Sequence, residues 1–244
     1  CSDDTAGGAR AAGAQVHVRL EAPGGRKGYA LAWLLQRLLA APQIYDAFVI
    51  FDADSRPEPN CLAALQRQLA AGAGIVQGRH VIANPTASLF AALADVDMRL
   101  NNRIRNQAKA NLHLSARLMG DAMCFHRDIL LQHPWVGAES LTEDRDYGIY
   151  LVTQGRQIAF AADALSLGQS TTTWHSATPQ RMRWYGGAFA LQKRYVATLA
   201  ARSVRHLDAD AFDKLLELTL PPFSIMAVLS PLLAALRLLG GERV

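Results

Sequence analysis

The stretch VIFDADSRPEP, Val49 to Pro59, joins an apolar run to two carboxylates one residue apart. Asp46 to Phe51 ends in AFVIF, the composition of a strand buried on both faces, and the PEPN that follows introduces a helix running to about Ala71. Asp52 and Asp54 therefore fall at the carboxyl end of a strand. In open α/β sheets ligands bind beyond those ends, so the position of the pair already points to a site.

The same alternation extends outward. QVHVRL, Gln15 to Leu20, alternates as a strand, and the turn APGG precedes a helix opened by Arg26 and Lys27 and running to about Ala41. Gly74 to Ile82 is predicted as a strand, Thr86 to about Ala110 as a long helix, and Ser140 to Gln154 as a helix closed by Gly155. A further helical stretch follows Gln180 towards Arg202. Strands alternating with helices predict an α/β sheet.

With 244 residues, 50% hydrophobic and 19% charged, the chain can bury a real core, which excludes a disordered protein. A formal charge of +4 suits anionic partners such as nucleotide phosphates or lipid headgroups. It forms no dense basic tract, and no nucleic-acid partner is expected. Cys1, Cys61 and Cys124 are odd in number and show no CxxC pairing, so neither a disulfide framework nor a zinc site is expected, and a reducing compartment is. His175, Cys124 and His126 read as ordinary packing or surface residues, since no metal-site spacing joins them. The opening CSDDTAGGAR has no Met and no signal-like apolar core, and reads as the start of a piece cut from a longer chain.

From Leu218 to Leu236 no charged residue occurs, a length that meets the rough threshold of about 18 apolar residues for a membrane span. Pro221, Pro222 and Pro231 interrupt it, which membrane helices tolerate better than soluble ones. A membrane-embedded or interfacial segment is expected there, against the alternative of a buried core helix.

Three constellations could carry chemistry. Asp52 and Asp54 at D-x-D spacing can approach one divalent cation and bridge it to a diphosphate, or one of them can simply cap the next helix. In LTEDRDYG, Thr142 could cap a helix whose first turn holds Glu143 and Asp144, where acidic residues meet the positive end of the helix dipole; alternatively Asp144 is a general base. PQRMRWYGG places Arg181, Arg183 and Trp184 on one short helix, as a solvated basic face or as phosphate forks beside a flat indole for a sugar ring. Lys27 follows a Gly-rich turn at a helix start, a natural phosphate position without P-loop spacing.

Taken in order, CSDDTA, GRKGYAL, FDADSRPEPN, LTEDRDYG and QRMRW resemble the family 2 glycosyltransferases with a GT-A fold, particularly membrane-bound polysaccharide synthases. The resemblance implies a Rossmann-like mixed sheet flanked by helices. Residues 1–205 would form the catalytic domain, and residues 206–244 an interfacial helix and the start of a transmembrane region. It implies that Asp52 and Asp54 hold a nucleotide-sugar diphosphate through Mg2+ or Mn2+, with Asp54 as the direct ligand, and that Lys27 and Arg183 contact the donor. Asp144 would be the catalytic base with Glu143 beside it, and Gln180, Trp184 and Asp121 would face the acceptor; the motif leaves Arg181 open. The implied reaction is inverting transfer from a UDP-linked sugar to a saccharide or lipid-linked acceptor, at membrane lipids, with the catalytic domain on the cytoplasmic side of the inner membrane.

Such enzymes carry a first strand and a nucleotide-contacting Asp upstream of the stretch that here begins CSDDT, so the chain is expected to lack its first strand. Asp3 and Asp4 are not taken as replacements. LMGDAMCF departs from the more Gly-rich acceptor loop of relatives, and TTTWHSATP does not match the gating loop of cellulose synthases, which points away from cellulose as product. Two rivals remain. FDADS superficially resembles the haloacid dehalogenase phosphatases, which leave T-E-D and Q-R-M-R-W unexplained, and a membrane-associated binding subunit could keep the fold without turnover.

Overall fold

The computed structural model describes residues 3–20, 26–220, 229–235 and 237. A short helix α1 (Thr5–Ala11) is capped by Asp4, whose carboxylate accepts from the Gly7 amide. Then come α2 (Lys27–Leu39), β1 (Ala47–Ile50), the two-residue β2 (Arg56–Pro57), α3 (Cys61–Ala70) and β3 (Ile75–Ile82). Next are α4 (Leu89–Arg99), a π-helical stretch (Leu100–Asn106), α5 (Gln107–Asn111), β4 (Met123–His126) and α6 (Arg127–Gln132). The described order ends with α7 (Glu143–Thr153), β5 (Ala159–Gly168), α8 (Trp174–His206) and α9 (Ala209–Thr219).

The strands form one mixed sheet in the order β1-β4-β3-β5-β2. β4 lies antiparallel between β1 and β3, pairing Val49 with Cys124 on one side and Val76 with Cys124 on the other. β1 and β3 consequently point the same way, and β5 runs parallel to β3 with an irregularity between Gly78 and Arg79. The sheet alternation sends Ile75, Met123 and Phe125 into one apolar layer with Leu35, Tyr147 and Leu151, and Val76 and Cys124 into the other with Cys61, Leu65 and Ala164. Cys61 and Cys124 are free and buried, and burial pushes the Cys124 thiol up to about 12, so it packs as a small apolar group.

Tyr147 fastens α7 to the sheet. Its ring lies 4.4 Å from Trp135 and 5.6 Å from Phe125, and its hydroxyl donates to the His133 carbonyl at 2.6 Å. Each aromatic pair contributes about 1 kcal/mol beyond its burial. A third cluster, Ile149, Leu191, Tyr195, Leu199, Ala211 and Leu218, joins α7, α8 and α9.

Several sequence expectations change. Residues 14–20 form no strand; Val18 and Leu20 are exposed, and no described strand pairs with the outer edge of β1, so the alternating pattern there finds no partner. β1 itself buries only Phe48 and Ile50, with Ala47 and Val49 half-buried, because it is the edge strand of the described sheet rather than an interior one. The helix expected after Gln180 begins at Trp174, capped by Thr173, and carries Pro179 within it, so TTTWHSATP supplies a helix start rather than a loop. Residues 221–228 and 236 of the apolar run Leu218 to Leu236 lie outside the described residues, and among those described no helix is long and apolar enough to cross a membrane.

Candidate functional site

The rim where β1 ends gathers the expected residues. Lys27 opens α2, and its ammonium forms an ion pair with Asp52 and donates to the Gly120 carbonyl at 2.7 Å. Close approach is built into that helix start: a Cβ on Gly28 would stand 2.7 Å from the Ala138 carbonyl oxygen. Neither Asp52 nor Asp54 caps α3, whose N-cap position is Asn60, so the simpler reading of the D-x-D pair is removed. Asp54 is exposed on the loop after β1.

Asp121 sits behind this rim with its side chain 2% exposed. One carboxylate oxygen accepts from the Asp52 backbone amide at 3.0 Å and the other meets His80 Nδ1 at 2.7 Å. Burial raises its pKa, but the His80 and Asp52 hydrogen bonds outweigh burial and bring the carboxyl below the ordinary carboxylate range. Gln77, fully buried on β3, donates to the Asp121 carbonyl at 2.8 Å and accepts from the Met119 amide at 2.9 Å. With both carboxylate oxygens occupied and its side chain enclosed, Asp121 pins the end of β1 from behind, whereas the sequence reading had it facing the acceptor.

The loop between these two layers turns at Gly120, φ +86°. A Cβ there would stand 3.2 Å from Asp144 Oδ2 and 3.7 Å from Lys27 Nζ. The missing side chain thus leaves the space in which the strand-end charges and Asp144 face each other. Glu143 and Asp144 open α7, but Thr142 does not cap it: the Thr142 hydroxyl is buried without a hydrogen-bond partner among the described residues. Burial, and then the adjacent Asp144 carboxylate, raise the Glu143 carboxyl above its usual range against the opposing pull of Lys27 and Arg183.

Helix α8 supplies the third wall. Gln180, Arg183, Trp184 and Gly187 fall at helical spacings that share one face. Gly187 is buried, and a Cβ on it would stand 2.6 Å from Thr142 Oγ1, so α8 rests directly on the start of α7. Arg183 and Trp184 remain exposed beside this contact, with Trp184 40% accessible. Arg181 and Gln180 are half-buried on the preceding turn.

Gln77, His80 and Gly120 were not marked in the sequence. The available signal was the polar stretch Gln77 to His80 between the apolar ends of IVQGRHVI. Among the described residues no three His, Cys, Asp or Glu side chains form a ready-made metal cage. The donor set is two strand-end carboxylates, one held by Lys27 and one exposed. That set suits a hard cation that keeps waters and takes its remaining ligands from a substrate's phosphates, which is the habit of Mg2+ and related ions.

A mixed α/β sheet with an acidic strand end, an acid-rich helix start and an Arg–Trp helix face defines a GT-A-type fold. The chain belongs to glycosyl transferase family group 2, whose sequence model matches residues 47–239. Among solved structures it is similar to the mannosyltransferase PcManGT from Pyrobaculum calidifontis in complex with GDP-Man and Mn2+, at TM-score 0.53 and 17% identity over 81% of this chain and 49% of that one. The chain therefore spans about half the length of that structure. A mycobacterial protein matches at TM-score 0.43 and 18% identity over 72% of this chain and 56% of that one, too distant to carry an argument. No curated protein matches by sequence. The family match displaces the phosphatase reading of FDADS.

Proposed function

We propose that the chain is the catalytic part of an inverting, metal-dependent hexosyltransferase that moves a sugar from a nucleotide-sugar donor to a saccharide or lipid-linked acceptor. The observation that carries the reading is the shared space at Gly120, into which Asp144, Lys27 and through it Asp52 converge. Asp52 and Asp54 would hold Mg2+ or Mn2+ on the donor diphosphate, and the cation would supply charge neutralisation for the departing phosphates. Lys27 and Arg183 add positive charge on the same side. The acceptor hydroxyl attacks the anomeric carbon and passes its proton to Asp144 as the bond to the diphosphate oxygen breaks, that oxygen keeping the electron pair. Glu143, biased towards its protonated form, would hydrogen-bond an acceptor hydroxyl, and Trp184 with Gln180 would seat the acceptor ring.

A UDP-linked donor follows from the resemblance of the motifs; the GDP-Man complex of a structural relative makes GDP sugars the second arm of any test. Synthesis of a β-linked polysaccharide or glycolipid at the cytoplasmic face of the inner membrane is our reading, its membrane part supported by the uncharged run Leu218 to Leu236 and by the exposed Phe212 and Leu216 just before it. The test is transfer from a panel of UDP- and GDP-linked radiolabelled sugars by the full-length protein in membranes, with and without EDTA. Transfer that requires a divalent cation and falls about 10²–10⁴-fold in Asp144→Asn, with donor KM little changed, is expected for a general base. Metal-dependent transfer that survives Asp144→Asn would remove the base assignment.

A further inference from the structure

Away from the Lys27–Asp52–Asp144 space lies a cavity of about 190 Å³ that the proposed transfer does not use. Its walls come from β3, from α4 with the π-helical stretch that continues it, and from Leu165 of β5. Arg79, Arg99 and Arg103 all line it, with His80 and Asn102. Asp95 offsets one of these charges, bonding Arg99 at 2.7 Å. Among the described residues Arg79, half-buried, and Arg103, exposed at the mouth, have no such carboxylate partner.

Two buried polar atoms there lack partners among the described residues. Arg79 Nε is a donor with nothing to donate to. Asn102 spends its amide nitrogen on the His80 and Met98 carbonyls, each at 2.9 Å, while its Oδ1 accepts nothing. Buried polar groups left this way are costly, so a ligand that serves both has a ready gain. The donor calls for an anion and the acceptor calls for a hydroxyl. Arginine forks favour phosphate oxygens, and π-helical segments frequently mark functional sites. The volume lies below the roughly 300–1,000 Å³ of sites that enclose drug-sized molecules, which suits a head group better than a whole nucleotide sugar.

We propose that this cavity is a second anion site, which binds a phosphomonoester carrying a neighbouring hydroxyl, either as a free small molecule or as a lipid head group. It is joined to the candidate active site through one residue: His80 lines the cavity while its Nδ1 meets Asp121, which holds the Asp52 amide. Because β1 and β3 point the same way, Arg79, His80 and Val81, in the carboxyl half of β3, lie towards the same end of the sheet as the D-x-D pair.

Calorimetric titration of the full-length protein with glycerol 3-phosphate tests the site, with glycerol as control. Saturable binding of glycerol 3-phosphate is expected, weakened about tenfold or more by Arg79→Gln and by the surface change Arg103→Ala, and retained in Lys27→Ala. Flotation with phosphatidylcholine vesicles, with or without lysophosphatidic acid, whose glycerol keeps a free hydroxyl beside the phosphate, separates the sources: a lipid-head-group site gives Arg103-dependent retention on lysophosphatidic acid, a small-molecule site gives none. Unchanged thermal unfolding of Arg103→Ala excludes misfolding as the cause. The proposal is overturned by absence of both bindings, or by binding that Lys27→Ala abolishes and the two arginine changes leave alone. Sugar transfer is read separately, so failure here leaves the transferase reading standing.

Discussion

At the scale of single residues, the candidate site depends on one side chain that is missing. Gly120 turns with φ +86°, and the space its Cβ would fill lies within 3.2 Å of Asp144 Oδ2 and 3.7 Å of Lys27 Nζ. Gly120→Ala would introduce left-handed strain of about 1–2 kcal/mol and a methyl group between the base and the strand-end charges. Transfer should fall by at least about tenfold while the protein still folds, which parallel rate and thermal-unfolding measurements would show. An Ala variant with undiminished transfer would mean that reactants do not pass through this space. Asp52, Asp54, Glu143, Asp144, Arg183 and Trp184 were legible because their residue types match their chemistry and their order matches a family pattern. Gly120 and His80 were not, since a glycine's positive φ and a histidine's partner across the sheet exist only once β3, β4 and the loop before β4 are assembled. Asp121 was legible as important but misplaced: its neighbours in sequence suggest a loop facing substrate, whereas pairing of β4 between β1 and β3 encloses it.

At the scale of elements, the contact between α7 and α8 decides whether T-E-D and Q-R-M-R-W act as one site. Gly187 is the point of closest approach, and Gly187→Ala would put a methyl 2.6 Å from Thr142 Oγ1 with Thr142 Cγ2 at 2.7 Å. Relief requires the helices to part, which carries Arg183 and Trp184 away from Glu143. The expected result is a higher KM for donor and acceptor together with a loss of stability of about 1–3 kcal/mol, as for other overpacked positions, measured by steady-state kinetics and denaturant unfolding. Sequence pattern located α2, α3, α7 and the long α4 region, where helical periodicity is strong. It missed β4 and β5: MCFH is four residues long, and AFAADALSLG is rich in Ala and interrupted by Asp163. Both are strands because neighbours pair with them, which outweighs weak local preference. Pro179 hid the true start of α8, although it lies in that helix's exposed first turns, where water can serve a carbonyl left without its amide.

At the scale of the whole molecule, one buried carboxylate ties the candidate site to the far end of the chain. Glu217 of α9 meets Lys109 of α5 at 2.7 Å, Lys214 at 3.3 Å, Arg117 at 3.4 Å and Arg145 at 3.9 Å. Arg145 also donates to the Glu217 carbonyl at 3.1 Å, and it follows Asp144 directly on α7. Burial pushes the Glu217 carboxyl up, but the surrounding cations outweigh burial and hold it well below the ordinary glutamate range. The folded protein therefore releases this proton more readily than the unfolded chain, so the stabilisation is complete above the unfolded value near 4.5 and is lost as pH falls below it. Glu217→Gln would leave Lys214 and Arg145 facing a neutral amide in a closed interior. At pH 7 it should cost about 3–5 kcal/mol, the loss expected when one partner of a buried ion pair is removed, and chemical denaturation would record it. The gap between variant and parent should narrow progressively below about pH 4.5, where the unfolded parent chain takes up a proton that the folded carboxylate still resists. A gap that stayed constant from pH 7 to pH 3 would show that packing, not charge, makes the contribution of Glu217. If the charge makes it, acid also loosens Arg145 and with it the start of α7, so transfer at low pH should fail in parallel with the detachment of α9.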